Sequence, residues 1–197
     1  FGIDAELLID HAWGRETVTM EDIKTYRPKS NSLSSGQVLA RDYSCAEARL
    51  VVKEMADLLA LELVEKELVT DSITLHVGYS NRLERKPAHG TVNMTVTTSS
   101  ARQIIAYTAD LYDRIVDPHA SVRRMSVTFN HVTDEACEQY DLFTDPAELE
   151  RERRMQRAML DIKGKFGKNA ILKGMNLQDG ATAMERNCQI GGHKSGV

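Results

Sequence analysis

Alternating polar residues on three predicted strands are the part of this sequence best suited to binding a ligand. Their side chains carry hydroxyl, amide, imidazole or guanidinium groups, and no carboxylate interrupts the set. Such groups donate hydrogen bonds to phosphate oxygens. A half-exposed antiparallel sheet also has a polar outer face when it binds nothing, so the pattern alone leaves both interpretations open. The set is Thr74, His76, Thr91, Asn93, Thr95, Thr97, Arg124, Ser126, Thr128 and Asn130.

Basic residues at the edges of these strands favour the phosphate-binding interpretation. They lie in the linker before the first strand, after that strand, in the hairpin connection and beside the last strand. No aromatic residue interleaves with the polar set, so base stacking is not indicated and the predicted ligand is a duplex backbone. The residues predicted to contact it are Arg27, Lys29, Ser34, Arg41, Thr74, His76, Arg82, Arg85, Lys86, Thr95, Thr97, Arg123, Arg124 and Ser126.

No pattern in the sequence predicts catalysis. No two carboxylates are spaced on adjoining strand ends as a site for two Mg²⁺ ions requires, and no phosphate loop follows a strand. The six histidines are scattered, and Cys188 and His193 lack the further ligands that a metal site needs. We therefore expect no catalytic residue, metal or cofactor in this chain, although an independent enzyme stays open as an alternative.

A predicted α+β unit over residues 32–136 positions the polar set. Alternating segments and two helical segments follow one another as strand, helix, strand, strand, helix, strand. Ser44 and Glu47 form a predicted capping box at the start of the first helix, and Glu54 and Asp57 lie away from its apolar stripe. The order predicts a four-stranded, mainly antiparallel sheet with both helices on one face.

Composition sets the class of protein. The chain has 197 residues, of which 42% are hydrophobic, and it has no apolar run long enough to span a membrane. A net charge of -4 argues against a globally basic nucleic-acid binder and leaves room for a local basic surface. Three cysteines lie far apart, which predicts free thiols in a reducing compartment, the cytoplasm.

Two further segments flank the α+β unit. Residues 1–31 are expected to form a short amphipathic helix, ended at Gly14, and a basic linker; the absence of an initiator Met predicts a fragment of a longer protein. Residues 137–197 are interpreted as a tail, with a helix that starts with Asp145 as N-cap, Pro146 at its first position and Glu148 completing a capping box. Beyond Gly167 little periodicity remains, and we expect poor order there.

A short apolar stretch at the start of the tail raises a separate question. It consists of Gln139, Tyr140, Asp141, Leu142 and Phe143. Its apolar side chains could pack on their own domain or enter a cleft on a partner while the Gln donates a directional hydrogen bond. From the residues alone, packing is favoured.

The sequence resembles the C-terminal part of bacterial Y-family translesion DNA polymerases, the UmuC-like and DinB-like group. The resemblance is carried by "GIDAELLIDHAWG", "YRPKSNSLSSGQVL", the helix that leads to "DSITLHVGYS", and "GKNAILKGMNLQDGATAMERNCQIGGHK". It implies that residues 1–31 are the end of the thumb and its tether and that residues 32–136 are the little finger, which contacts phosphates of primer–template DNA. The family's catalytic carboxylates and their Mg²⁺ belong to the palm, upstream of Phe1.

The resemblance also changes the interpretation of residues 139–143. The stretch is similar to the pentapeptide by which bacterial polymerases bind the sliding clamp, so the resemblance implies clamp binding through Gln139, Leu142 and Phe143. The alternative function is recruitment of a repair partner, such as RecA, through the charged tail helix.

Overall fold

The computed structural model describes residues 4–16, 18–26, 31–135, 145–190 and 193–194. The chain divides into two compact units, Phe1–Ser30 and Asn31–Val197. The first unit contains helices α1 (Asp4–Ala12) and α2 (Met20–Thr25). Gly14 follows α1 with a φ of 70°, a conformation that favours glycine and ends the helix.

The second unit is built on a four-stranded antiparallel sheet. Strands β1 (Leu33–Tyr43), β2 (Leu68–Tyr79), β3 (Ala88–Thr98) and β4 (Val122–Asn130) lie in the order β1-β4-β2-β3, and the two-residue β5 (Thr133–Asp134) pairs with the start of β2. Helices α3 (Cys45–Glu65) and α4 (Ala101–Ile115) follow β1 and β3. The predicted fold class and element order are confirmed.

Helices α3 and α4 pack on the same face of this sheet. Ile73, Leu75 and Val77 alternate along β2, are fully buried and meet the apolar side chains of α3 and α4. Ser44 caps α3 as predicted, because its hydroxyl accepts from the Glu47 N–H while the Glu47 carboxylate accepts from the Ser44 N–H. Among the described residues of the second unit, no helix packs on the opposite face of the sheet, and we call it the outer face.

The expectation of poor order beyond Gly167 is wrong for the described residues. Helix α5 (Pro146–Phe166) is followed by a 3₁₀ turn (Gly174–Leu177), helix α6 (Ala183–Asn187) and two short paired strands, β6 (Gln189–Ile190) and β7 (His193–Lys194). Polar side chains of α3 hold the 3₁₀ turn and α6 in place. The sequences of these elements therefore need little apolar periodicity of their own.

Those side chains are Glu54 and Asp57, which were predicted to lie away from the apolar stripe of α3. Glu54 is 1% exposed, accepts from the Thr182 N–H at 2.7 Å and from Asn176 Nδ2 at 2.8 Å, while Asp57 binds Lys173 at 2.5 Å. Helix α3 is thus covered by the sheet on one side and by the tail on the other. A buried carboxylate needs such partners, because an unpaired one would cost several kcal/mol.

Helix α5 docks through polar contacts at the start of α4. Its N-cap is Asp145, with Pro146 at the first position as predicted. Glu148 binds Arg102 at 3.0 Å instead of completing the predicted capping box. Glu152 accepts hydrogen bonds from the Ser100 hydroxyl at 2.6 Å and from the Arg102 N–H at 2.9 Å, so it joins α5 to the first turn of α4.

In the part of the chain that the structure describes, no helix is long and apolar enough to cross a membrane.

Candidate nucleic-acid interface

The register of the sheet sets the outer-face side chains in rows across the four strands. One row runs Ser34, Thr128, Thr74, Thr91, from β1 to β3. The hydroxyl oxygens of Thr74 and Thr91 are 2.8 Å apart, and Asn130 Nδ2 donates to Thr74 Oγ1 at 2.9 Å. This network fixes the central hydroxyls, while Ser34 and Thr91 remain exposed at the two edges.

The adjacent row contains two histidines. It runs Gly36, Ser126, His76, His89, and the two imidazole rings stand edge to face with their centroids 6.3 Å apart. The sequence prediction omitted His89 because it began the strand at Thr91. The signal was present, since His89 precedes Thr91 by two residues and must share its face.

A third row contains an arginine. Val38, Arg124 and Gly78 lie opposite one another on β1, β4 and β2. Arg124 is exposed, and no carboxylate of the described residues lies within salt-bridge distance of its guanidinium. Val38 is 72% exposed in this row and was not among the predicted residues.

Two predicted residues lie beyond these rows. The register between β2 and β3 shifts after the Ser72–Asn93 pair and resumes at Thr70–Thr98. Thr95 and Thr97 fall within this irregularity, where no residue of β2 is directly opposite them. Thr95 is exposed and Thr97 is half-buried.

Three of the predicted arginines converge on one open cleft at the end of the sheet. This cleft, which we call the arginine cleft, lies where β1 and β2 end and β4 begins, and it has a volume of about 550 Å³. Its arginines come from β1, from the connection between β2 and β3, and from β4, so only the folded sheet brings them together. The lining residues are Arg41, Asp42, Ser80, Asn81, Arg82 and Arg123.

The arginines of the arginine cleft differ in whether they already bind a carboxylate. Arg41 binds Glu47 at 2.5 Å and lies over the Tyr43 ring. Mainly through this hydrogen bond from Arg41, the pKa of Glu47 is lowered to about 2. Among the described residues, no carboxylate pairs with the guanidinium of Arg82 or Arg123. These two groups are therefore the cations of the cleft that are available to an anionic ligand.

The remaining predicted cations of the hairpin connection differ from each other. Arg85 forms an ion pair with Asp117 and lies 5.7 Å from the centre of the Tyr79 ring. The pKa of Asp117 is lowered, first by the hydrogen bond from the His119 N–H and also by Arg85. Lys86 is exposed. Arg85 is thus already neutralised by a neighbour, whereas the Lys86 side chain faces solvent.

Other predicted residues lie outside the described residues. Arg27 and Lys29 belong to the segment between α2 and β1, and Gln139 to Phe143 belong to the segment between β5 and α5. Among the described residues, no three histidine, cysteine or acidic side chains are grouped so that they could hold a metal ion.

Comparisons with known proteins give the family. The model of the impB/mucB/samB family C-terminal domain matches residues 30–142, which is more than half of the chain. The chain is 28% identical over 197 residues to "Putative UV-damage repair protein UvrX" of Bacillus subtilis, covering 99% of this chain and 46% of that protein. It is 25% identical over 166 residues to "DNA polymerase IV 2" of Halalkalibacterium halodurans, covering 84% of this chain and 40% of that protein.

Two solved structures are also similar to this chain. One is a complex of a β-clamp processivity factor with the little finger domain of PolIV, at 11% identity and a TM-score of 0.41, covering 58% of this chain and 100% of that chain. The other is a chimeric Y-family DNA polymerase of Dbh and Dpo4, at 14% identity and a TM-score of 0.42, covering 68% of this chain and 36% of that chain.

The chain spans less than half the length of the curated relatives named above. The family match covers all five strands of the sheet, from the residue before Asn31 to beyond β5. The chain therefore belongs to the impB/mucB/samB family, and the predicted resemblance to the C-terminal region of UmuC/DinB-like polymerases is confirmed.

Proposed function

We propose that the second unit binds the backbone of duplex DNA through the outer face of its sheet and the arginine cleft, within a polymerase that copies damaged DNA. The observation that carries the proposal is the charge pattern: the outer face has rows of hydroxyl groups and Arg124, and the cleft at its end has Arg82 and Arg123. None of these three arginines pairs with a carboxylate of the described residues. The whole chain carries a charge of -4, so an attraction to DNA must come from such a local surface.

The geometry fits contacts with phosphates better than contacts with bases. Hydroxyl and guanidinium groups on one face of a sheet can reach successive phosphates, and contacts of this kind fix the position of a protein on DNA without reading its sequence. A polymerase that advances along any template needs that property. Catalysis with Mg²⁺ held by a palm domain is expected from the family resemblance, and we propose that this chain does not supply it.

Charge reversal tests the proposal. We expect Arg123→Glu combined with Arg124→Glu to weaken duplex binding at least tenfold at about 0.1 M salt and to lower the slope of log affinity against log salt by about two. Arg151→Glu combined with Arg157→Glu is the matched control, because it changes the net charge equally and both residues are exposed on α5, which packs on the helical side of the sheet. Equal effects of the two variants would show that bulk charge, and not the outer face, governs binding.

We propose sliding-clamp binding as a second function, carried by the sequence of Gln139 to Phe143. An apolar pair preceded by a hydrogen-bonding Gln suits a hydrophobic cleft, and motifs of this length bind at about micromolar strength, near -8 kcal/mol. Saturable binding of the chain to purified bacterial clamp, removed by the free peptide "QYDLF", is the expected result. A folded chain that does not bind the clamp would contradict the proposal.

Recruitment of RecA through the tail stays a prediction. Glu152 and the buried Gln156 hold one side of α5 against the start of α4. A partner would therefore meet the opposite, exposed side of that helix.

A further inference from the structure

Gly78 occupies an unusual position on the outer face of the sheet. It lies on β2, a central strand of the sheet, directly opposite Arg124 of β4, and it is buried although no helix among the described residues of this unit packs on its face. The cover comes from Arg124 itself. A Cβ atom placed on Gly78 would lie 2.5 Å from both Cγ and Nε of Arg124 and 3.0 Å from its Cδ.

The backbone does not explain the glycine. The described glycines with positive φ are Gly14, Gly167 and Gly180, so Gly78 has a conformation that other residues adopt readily. The three heavy atoms nearest to such a Cβ all belong to the Arg124 side chain, which runs from β4 across β2.

We propose that Gly78 is a positioning residue for DNA binding, because its missing side chain lets Arg124 lie flat across β2. The inference rests on the proposed function of the outer face. A flexible arginine loses rotamer entropy when it is fixed against a ligand. A stem already held on the sheet has lost part of that freedom before DNA arrives, so the phosphate contact becomes stronger.

The same face offers a matched control. Gly36 lies on β1, two residues from Val38, and a Cβ atom placed there would have its nearest neighbours at 4.0 Å, in the backbone oxygen of Met125 and the Cβ of Ser126. Gly36→Ala and Gly78→Ala both reduce the entropy of the unfolded chain to the same degree. They differ in whether an arginine must move.

The experiment measures duplex affinity and its salt dependence for the wild-type chain, G78A, G36A, R124A and the double variant G78A/R124A. We expect R124A to weaken binding about fivefold to tenfold and to lower the salt slope by about one. G78A should weaken binding by about threefold or more, G36A by less than about twofold, and G78A should add nothing in the R124A background. If G78A does not fold but the double variant G78A/R124A does, this result also supports the inference.

Three results would overturn it. If G78A binds DNA as tightly as G36A while R124A binds it weakly, Gly78 has no positioning role and the proposed DNA-binding face stands. If G78A weakens binding equally with and without Arg124, it acts through another part of the sheet. If the wild-type chain does not bind duplex DNA, or R124A leaves binding unchanged, the proposed role of the outer face fails together with this inference.

Discussion

Replacing Glu54 by Ala should release the tail from helix α3. The substitution removes the acceptor for the Thr182 N–H and for Asn176 Nδ2, both of which are buried with Glu54 in the wild-type chain. A buried donor without a partner costs about 1–3 kcal/mol, so the two together would cost about 2–6 kcal/mol. Separation of the tail lets water reach the donors and limits the loss, and we expect about 3 kcal/mol.

Urea denaturation and hydrogen exchange together test this expectation. The free energy of unfolding should fall by about 3 kcal/mol, and the amides of α6 should lose protection before those of the sheet. Glu65→Ala is the control, because Glu65 is exposed near the end of the same helix and its loss should cost less than about 0.5 kcal/mol. Equal stability of the two variants, with α6 still protected, would refute the role of Glu54.

Three other variants test separate parts of the chain. Leu142→Ala with Phe143→Ala should abolish clamp binding without lowering the thermal unfolding midpoint; a large fall in the midpoint would show instead that these side chains belong to the core. Because the pKa of Glu47 is lower in the folded chain, at about 2, than its ordinary value of 4.5, the folded state gains stability above about pH 4.5 and loses it as the pH falls towards 2. Urea midpoints measured from pH 7 to pH 2 should show this loss, about 1–2 kcal/mol after solvent screening, and Glu47→Gln should flatten the curve; an unchanged curve would contradict the Arg41 contact. Glu152→Ala should cost about 1–2 kcal/mol in urea and expose α5 to protease, because the first turn of α4 loses its acceptor, whereas an intact protease pattern would show that apolar contacts alone hold α5.

The side of the sheet that carries the polar set could be predicted from the sequence. Side chains alternate along a strand, so the burial of Ile73, Leu75 and Val77 leaves Thr74 and His76 on the outer face. The capping box at α3 was predictable for a similar reason, since it depends on residues only three positions apart. Local rules therefore determine the strands, the helix starts and the composition of the outer face.

Other features depend on contacts between distant residues. Glu54 and Asn176 are 122 positions apart, and nothing local to either residue indicates that they meet. The segment after Gly167 lacks apolar periodicity because its turn and α6 are held by hydrogen bonds to α3. The arginine cleft was likewise beyond prediction, since its three arginines come from separate parts of the chain and the path of the hairpin connection sets where Arg82 lies.

An NMR titration with duplex DNA tests the central claim most directly. The Nε–H signals of arginines report contact with phosphate for each side chain separately. We expect those of Arg82, Arg123 and Arg124 to shift with saturation at one common affinity, while that of Arg157 on α5 stays in place. Shifts confined to Arg157, or equal shifts at all four arginines, would contradict the assignment of the outer face and the arginine cleft as the DNA-binding surface.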